Sequence, residues 1–452
     1  MPLTYEPAVV SRAVRAGATG LIMLALSAGG LSAQQRGPGP MRLGELYEAA
    51  RVRSPRADAA RALARAAEAR ISEARLPPDP QLQLGFMNRA LPGLDPMPGI
   101  GMTQLTLMQM LPVAGQLRLK GSVARHQAAA AGERASEVQW EVRAAVAMAF
   151  YDLYATDRQL TVARETLRLL HDISRTAESM YRVGEGAQTD VLRAQVEIGR
   201  MTEDTLRMVA MRQAMAARLD ALLDRATEVV GEPVLPAFPA VLPELATLEQ
   251  QALADRRMLS AGAAEVDAAS DMVRLAKRES WPDLQVGVAY AQGPSLAVMG
   301  EPTRSERMGS LMLGASIPIF ARGRQRAMRE EAAAMEQMAR ADLTAMRADT
   351  RARVASAYAD LVRARRLQQL YRATVLPQAS AAVQSAFSSY RVGAVDFMTL
   401  LDNQMTANEY RGELAVLEAD EGKAWAELEM LTGRELFDPY STAPAVAAGG
   451  DR

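Results

Sequence analysis

The chain contains no cysteine. Disulfides, thiolate metal sites, cysteine nucleophiles and a lipidated N-terminal cysteine are therefore excluded. Histidine is almost missing: His126 and His171 stand 45 residues apart in helical stretches, in no ligand spacing. No phosphate-binding loop, dinucleotide fingerprint or HExxH motif occurs. Aromatic residues make up only 5%. Neither sign of charge dominates, since 52 basic against 53 acidic residues leave −1. A nucleic-acid binder would carry a basic surplus. With no nucleophile–base pair and no metal-ligand set, the chain is not expected to be an enzyme, and no cofactor is assigned. Beyond the N-terminus no run of 18 or more apolar residues occurs, so no membrane-spanning helix is expected.

What is present is length and helix-forming composition. The 452 residues suit two to four ordinary domains as a prior. Apolar residues reach 49%, and Ala, Leu, Met, Arg and Glu dominate long stretches, the composition of extended helices and coiled coils. Residues 1–33 read as an export signal: Arg12 and Arg15, an apolar or small stretch from Ala16 to Leu31, and the small-residue site Leu31-Ser32-Ala33. The stretch is Gly- and Ala-rich and weak for a membrane anchor. An exported chain without a membrane helix is either soluble outside the cytoplasm or sits in an outer membrane as β-strands.

The sequence repeats itself. Pro77-Pro78-Asp79-Pro80-Gln81-Leu82 matches Trp281-Pro282-Asp283-Leu284-Gln285-Val286. Leu111-Pro112-Val113 matches Ile317-Pro318-Ile319, followed by Phe320 and Gly323. Ala149-Phe150-Tyr151-Asp152-Leu153 matches Ala357-Tyr358-Ala359-Asp360-Leu361, and Tyr181-Arg182-Val183-Gly184 recurs as Tyr390-Arg391-Val392-Gly393. The offsets of 204, 206, 208 and 209 drift in order, as a duplication with small insertions would. A first repeat is expected over 34–225 and a second over 244–437. Between them, 226–243 reads as a linker, because four prolines in eleven residues (Pro233, Pro236, Pro239, Pro243) cannot continue a helix. The Pro-, Ala- and Gly-rich tail over 438–452 is expected to be disordered.

Each repeat follows one plan. A helical stretch, Leu43 to Ala74 or Leu245 to Arg278, ends at Xaa-Pro-Asp. Two alternating segments follow, at about 81–87 and 102–111, then at about 284–291 and 308–317. In the first, Leu82, Leu84 and Phe86 share one face and Gln81, Gln83 and Gly85 the other. Leu284, Val286, Val288 and Tyr290 likewise oppose Gln285, Gly287 and Ala289. This is the period of a strand with one apolar face. In a membrane barrel that face would meet lipid, and its polar reverse a water-filled lumen. Four strands cannot close such a barrel, but three chains of four give 12, which can. Long helical hairpins are predicted over about 116–223 and 324–431. A helix of about 65 residues spans roughly 100 Å. Its seams, Leu160, Ala163, Leu167 and Leu170 for one, keep coiled-coil spacing. Gly184 and Gly393 would reverse the chain.

This order of elements resembles the outer-membrane efflux protein family, the TolC-like channels, over residues from about 42 to 436. The most specific pieces are the paired Tyr-Arg-Val-Gly tips, Trp281-Pro282-Asp283-Leu284, and Ile317-Pro318-Ile319-Phe320 with Gly323. The resemblance implies a mainly α fold with a small β part: duplicated strand–strand–long helical hairpin units, assembled as a homotrimer. The trimer would form a 12-stranded outer-membrane β-barrel continued by a periplasmic α-helical barrel. It implies a passive exit duct for small molecules, drugs or metal ions, docked to a periplasmic adaptor protein and an inner-membrane efflux transporter. Outer-membrane lipid would be a partner and nucleic acid would not.

Carried over by position, Val183, Gly184, Val392 and Gly393 would be the tips where an adaptor docks. Asp190, six residues after the first tip glycine, would bond across to Tyr390. Asp402, nine after the second, would line a closed aperture. Thr399 stands six after it, where a second aperture aspartate can sit, which makes the ring less acidic. Read from the residues alone, Asp402 is a solvated helix residue and Asp190 an N-terminal helix charge. The 26 methionines, with Met102, Met108 and Met110 on one strand, are read as core and seam fillers rather than as soft-metal ligands. The alternative function is a periplasmic coiled-coil adaptor or structural protein without a pore.

Overall fold

The computed structural model describes residues 39–442, apart from 91, 94, 98–100, 227–230, 295–304 and 317–320. The export signal, Ile317 to Phe320, and the tail from 443 onward lie outside the described residues.

The fold is mainly helical, with a small sheet. Helix α1 (Leu43–Arg53) is followed at once by α2 (Pro55–Arg75). The sequence predicts one helix here, but the chain turns at Ser54, whose ψ is 116°. Pro55 forces this: it removes an N–H and disfavours helix in the residue before it. Strands β1 (Gln81–Met87) and β2 (Met102–Leu111) lead to α3 (Gln116–Arg182), 67 residues long. The return helix α4 spans Gln188–Leu222.

The second half repeats this order. Helices α5 (Leu245–Asp255) and α6 (Arg257–Arg278) meet at a second break, Arg256, with ψ 118° and no proline nearby. The buried Arg256 holds it, donating to Glu137 Oε1 at 3.1 Å and to Thr350 Oγ1 at 2.7 Å. Strands β3 (Asp283–Pro294) and β4 (Ser305–Ser316) follow. Then come α7 (Ala321–Leu370), a π-helical turn at Tyr371–Val375, α8 (Leu376–Arg391) and α9 (Phe397–Thr432). The sequence predicts an unbroken helix through 371–375. Pro377 explains the difference, because its ring would collide with the carbonyl of residue 373 in a regular α-helix, and the wider turn relieves this. Among the described residues, no helix is long and apolar enough to cross a membrane.

The strands form one antiparallel sheet in the order β1-β2-β3-β4, so β2–β3 pairing joins the two halves. Away from the sheet, α3, α4, α7 and α9 enclose the main core around Phe150, Tyr151, Leu219, Leu361 and Trp425. The proline-rich linker seals it: Phe238 packs edge-on to Phe437 at 5.3 Å between ring centres. The tail is ordered at its start, against the sequence expectation. Tyr440 lies over Gly44, where a Cβ would stand 2.6 Å from the ring. Ala237 N–H donates to Ser441 O at 3.2 Å. A smaller core further along the hairpins joins Leu170, Ile173, Ala194, Tyr390, Phe397 and Leu401.

One buried carboxylate anchors the chain after α9. Glu429 is 1% exposed, accepts from Leu436 N–H at 2.8 Å, and sits 3.4 Å from Arg143. Arg143 also covers the Tyr47 ring at 3.9 Å and pairs with Glu435 at 2.6 Å. Burial outweighs the Arg143 charge and pushes the Glu429 carboxyl up to about 7 from 4.5. The folded state therefore keeps a proton that the unfolded state releases. That contribution is complete below pH 4.5 and is lost as pH rises through about 7. Its upper size is about 3 kcal/mol. Glu429→Gln keeps an acceptor for Leu436, so its thermal midpoint is expected above the parent's at pH 8, with the gap closing toward pH 4.5. A gap independent of pH would remove this account.

Candidate functional site: the helical tips and the two-faced sheet

Both hairpin tips are built by the same hydrogen bonds. At the first, Glu185 N–H donates to Met180 O at 2.9 Å and Gly184 N–H to Tyr181 O at 3.1 Å. At the second, Ala394 N–H donates to Ser389 O at 2.9 Å and Gly393 N–H to Tyr390 O at 3.0 Å. This 6→1, 5→2 pair is the Schellman helix stop, which needs a left-handed residue. Gly184 and Gly393 supply it, with φ of 81° and 70°. Each tip then presents a bare valine, Val183 at 68% exposure and Val392 at 78%.

Above the second tip, Asp396 caps α9 by accepting from Thr399 N–H at 3.1 Å. The Thr399 hydroxyl bonds the same carboxylate. These bonds, helped by the nearby Arg193, hold the Asp396 carboxyl below its ordinary value. Thr399 is thus tied to its own helix end, and Asp402 lies exposed one turn further along. Asp396 carries a local signal of its own, since an aspartate directly before a helical run is a preferred N-cap.

Asp190 and Tyr390 are brought together, but not by a hydrogen bond. The Tyr390 ring is turned into the smaller core, edge-on to Phe397 at 5.8 Å, and among the described residues its buried hydroxyl meets no hydrogen-bond partner. Burial, and then the neighbouring Asp190 charge, raise the phenol above its ordinary value. Asp190 itself lies in the first turn of α4, where the helix dipole favours it.

At the other end of the helices, the pairing register puts every Leu, Val, Phe and Tyr of the four strands on one face. Leu84 stands opposite Leu105, Leu107 opposite Val288, and Val288 opposite Leu311. That face is bare: Leu311 is 70% exposed and Leu313 76%. The reverse face carries Thr106, Gly287 and Ala289, which are buried, and Gln83 and Ser310, which are exposed. Strands β1 and β4 each leave one edge unpaired.

Known proteins share this architecture. The chain superposes on the outer-membrane channel OprN with a TM-score of 0.73, at 20% identity, over 86% of this chain and 89% of that one. CusC gives 0.74 at 18% identity, over 89% and 96%. The outer membrane protein VceC of Vibrio cholerae gives 0.72 at 18%, over 87% and 96%. In sequence, the chain is 26% identical over 296 residues to the pyoverdine export outer membrane protein OpmQ of Pseudomonas putida. It is 24% identical over 279 residues to the cobalt-zinc-cadmium resistance protein CzcC of Cupriavidus metallidurans. These alignments take in 61% of this chain and only 59% and 63% of the two relatives. The family described as outer membrane efflux protein matches residues 46–225 and 248–434. The family and these neighbours are channel proteins, not enzymes. By a match that takes in both halves of the fold, this chain, an outer-membrane protein with a large periplasmic helical portion, belongs to the outer membrane efflux protein family.

Proposed function

We propose that the protein is the passive exit duct of a tripartite efflux system, acting as a homotrimer. The observation that carries this is the sheet: four two-faced strands with a bare apolar face and two open edges. Unpaired edge groups cost several kcal/mol each in lipid. Three copies supply 12 strands, β4 of one pairing with β1 of the next, and leave no edge. The apolar face then meets the lipid hydrocarbon and the polar face a water-filled lumen. The helices would continue the lumen into the periplasm, ending at the tips. There the bare Val183 and Val392, beside Gly184 and Gly393, suit docking of a periplasmic adaptor held by an inner-membrane transporter. The cargo is a small molecule, a drug or a metal ion. One relative is named for pyoverdine export and the other for cobalt-zinc-cadmium resistance.

Around a threefold axis, the exposed Asp402 carboxylates would form the acidic ring of a closed aperture. Thr399, capped onto Asp396, adds no charge to it. Tyr390 and Asp190 would act as the latch, closing by about a kcal/mol per hydrogen bond when the hydroxyl turns toward the carboxylate.

The experiment is detergent extraction followed by planar-bilayer recording. A trimer that conducts is expected, and Asp402→Ala or Tyr390→Phe is expected to raise the single-channel conductance. A water-soluble monomer would overturn the duct. Unchanged conductance in both variants would overturn the gate.

A further inference from the structure

The reverse face of the sheet holds every methionine of the four strands, with Met102, Met108 and Met312 half-buried and Met87, Met110 and Met308 exposed. Met87, Met102, Met108, Met110, Met308 and Met312 all fall on that side by register. Every Leu, Val, Phe and Tyr of the strands falls on the other. Methionine is thus the only large apolar residue there, among Gln, Thr, Ser, Gly and Ala, with Asp283 and Glu306 toward the strand ends. An inert apolar lining needs no sulfur, and leucine, used freely on the opposite face, would serve.

Two of these side chains converge. Met108, Gly287 and Met312 stand in one cross-strand row, with Gln81 beside Met108. Met108 Cγ and Met312 Cε lie 3.3 and 3.5 Å from the place where a Cβ on Gly287 would stand. Both side chains therefore lie against the glycine from opposite sides, at the edge of the space a Cβ there would fill. Each sulfur is one bond from those carbons, so both can reach one ion above Gly287. A second pair, Met87 opposite Met102, recurs further along, with Met102 Cγ leaning over Gly293 at 2.8 Å from its notional Cβ.

We propose that Met108 and Met312 form a thioether site for a soft monovalent cation, Cu(I) or Ag(I), with Met87 and Met102 as a second such pair. Thioethers select soft ions over hard ones. Among the described residues, no group of three or more His, Asp or Glu is placed to hold a metal instead. Two neutral ligands hold an ion without any proton loss, so binding does not follow pH as histidine or carboxylate sites do. Few, neutral ligands also release readily, which suits a lumen through which ions pass. The location in a lumen rests on the duct reading; the paired sulfurs lie within one protomer and do not.

The test is Ag(I) titration of the full mature protein in detergent and chloride-free buffer. Met108→Leu/Met312→Leu keeps volume and apolarity, and such swaps leave cores largely intact. Met328→Leu/Met335→Leu, on the exposed side of α7, is the control. One Ag(I) per chain is expected to be lost in the first variant and kept in the control, with affinity equal at pH 5.5 and 7.5. Equal stoichiometry in the first variant and the parent, or no binding by the parent, overturns the site. Metal-free conductance of the same samples reads the duct separately. Conductance without binding removes only the site, and binding without conductance removes only the duct.

Discussion

Replacing Leu311 and Leu313 together by arginine is expected to abolish assembly in the outer membrane while leaving the helices folded. Both residues lie on the bare face of β4 and stand opposite Val288 and Val286. An arginine on the lipid face costs about 2–4 kcal/mol at the bilayer midplane and little near its edges. Two on one strand would cost about 4–8 kcal/mol at depth, comparable to the lower part of a domain's usual stability margin of about 5–15 kcal/mol. β4 is also an edge strand, and the neighbouring copy would pair with it in a closed barrel. The same charge at Ser310, on the reverse face, would meet water and be tolerated. Extraction yield and the trimer band on unheated gels measure the effect. A double-arginine trimer at parental yield would mean that this face does not meet lipid.

A comparable loss is expected at the centre of the main core, where no membrane is involved. Trp425 is 1% exposed and packs edge-on to Phe437 at 6.3 Å, with Arg365 over its ring at 5.8 Å. Truncating a buried tryptophan to alanine removes its burial energy and leaves a cavity, about 3–5 kcal/mol in all. Among the described residues the indole N–H finds no hydrogen-bond partner, and an unsatisfied buried donor costs about 1–3 kcal/mol. Trp425→Phe discards that donor and keeps most of the apolar bulk. The expected order of unfolding midpoints is parent close to Trp425→Phe, and both well above Trp425→Ala. If phenylalanine proved as damaging as alanine, the indole nitrogen would have to be bonded after all.

These residues divide into those a reader of the sequence can find and those only packing reveals. The alternation of Leu82, Leu84 and Phe86 is local, and so is the glycine at each tip, so the two-faced strands and the chain reversals were legible. The breaks at Ser54 and Arg256 were less so. Pro55 announces the first. The second rests on Glu137 and Thr350, far away in sequence, and no local signal carries it. Asp396 is legible too, since an aspartate directly before a helical run is a local N-cap signal. The Tyr390 hydroxyl could not be placed, since its burial depends on four helices meeting. The ordered start of the tail depends likewise on a glycine at position 44, nearly 400 residues upstream.

The π-helical turn carries a consequence for the symmetry of the molecule. The repeat offset grows from 208 at Ala149/Ala357 to 209 at Tyr181/Tyr390. The turn at Tyr371–Val375 lies between those marks and takes up the odd residue. In a regular α-helix one added residue would rotate everything beyond it by about 100°, and the wider turn absorbs that residue instead. The two tips still differ in facing, since Tyr390 is 4% exposed and its counterpart Tyr181 46%, although both end in the same backbone fold. The halves are twins in outline and strangers in facing. Any neighbour that wraps around these rods meets two kinds of wall in alternation.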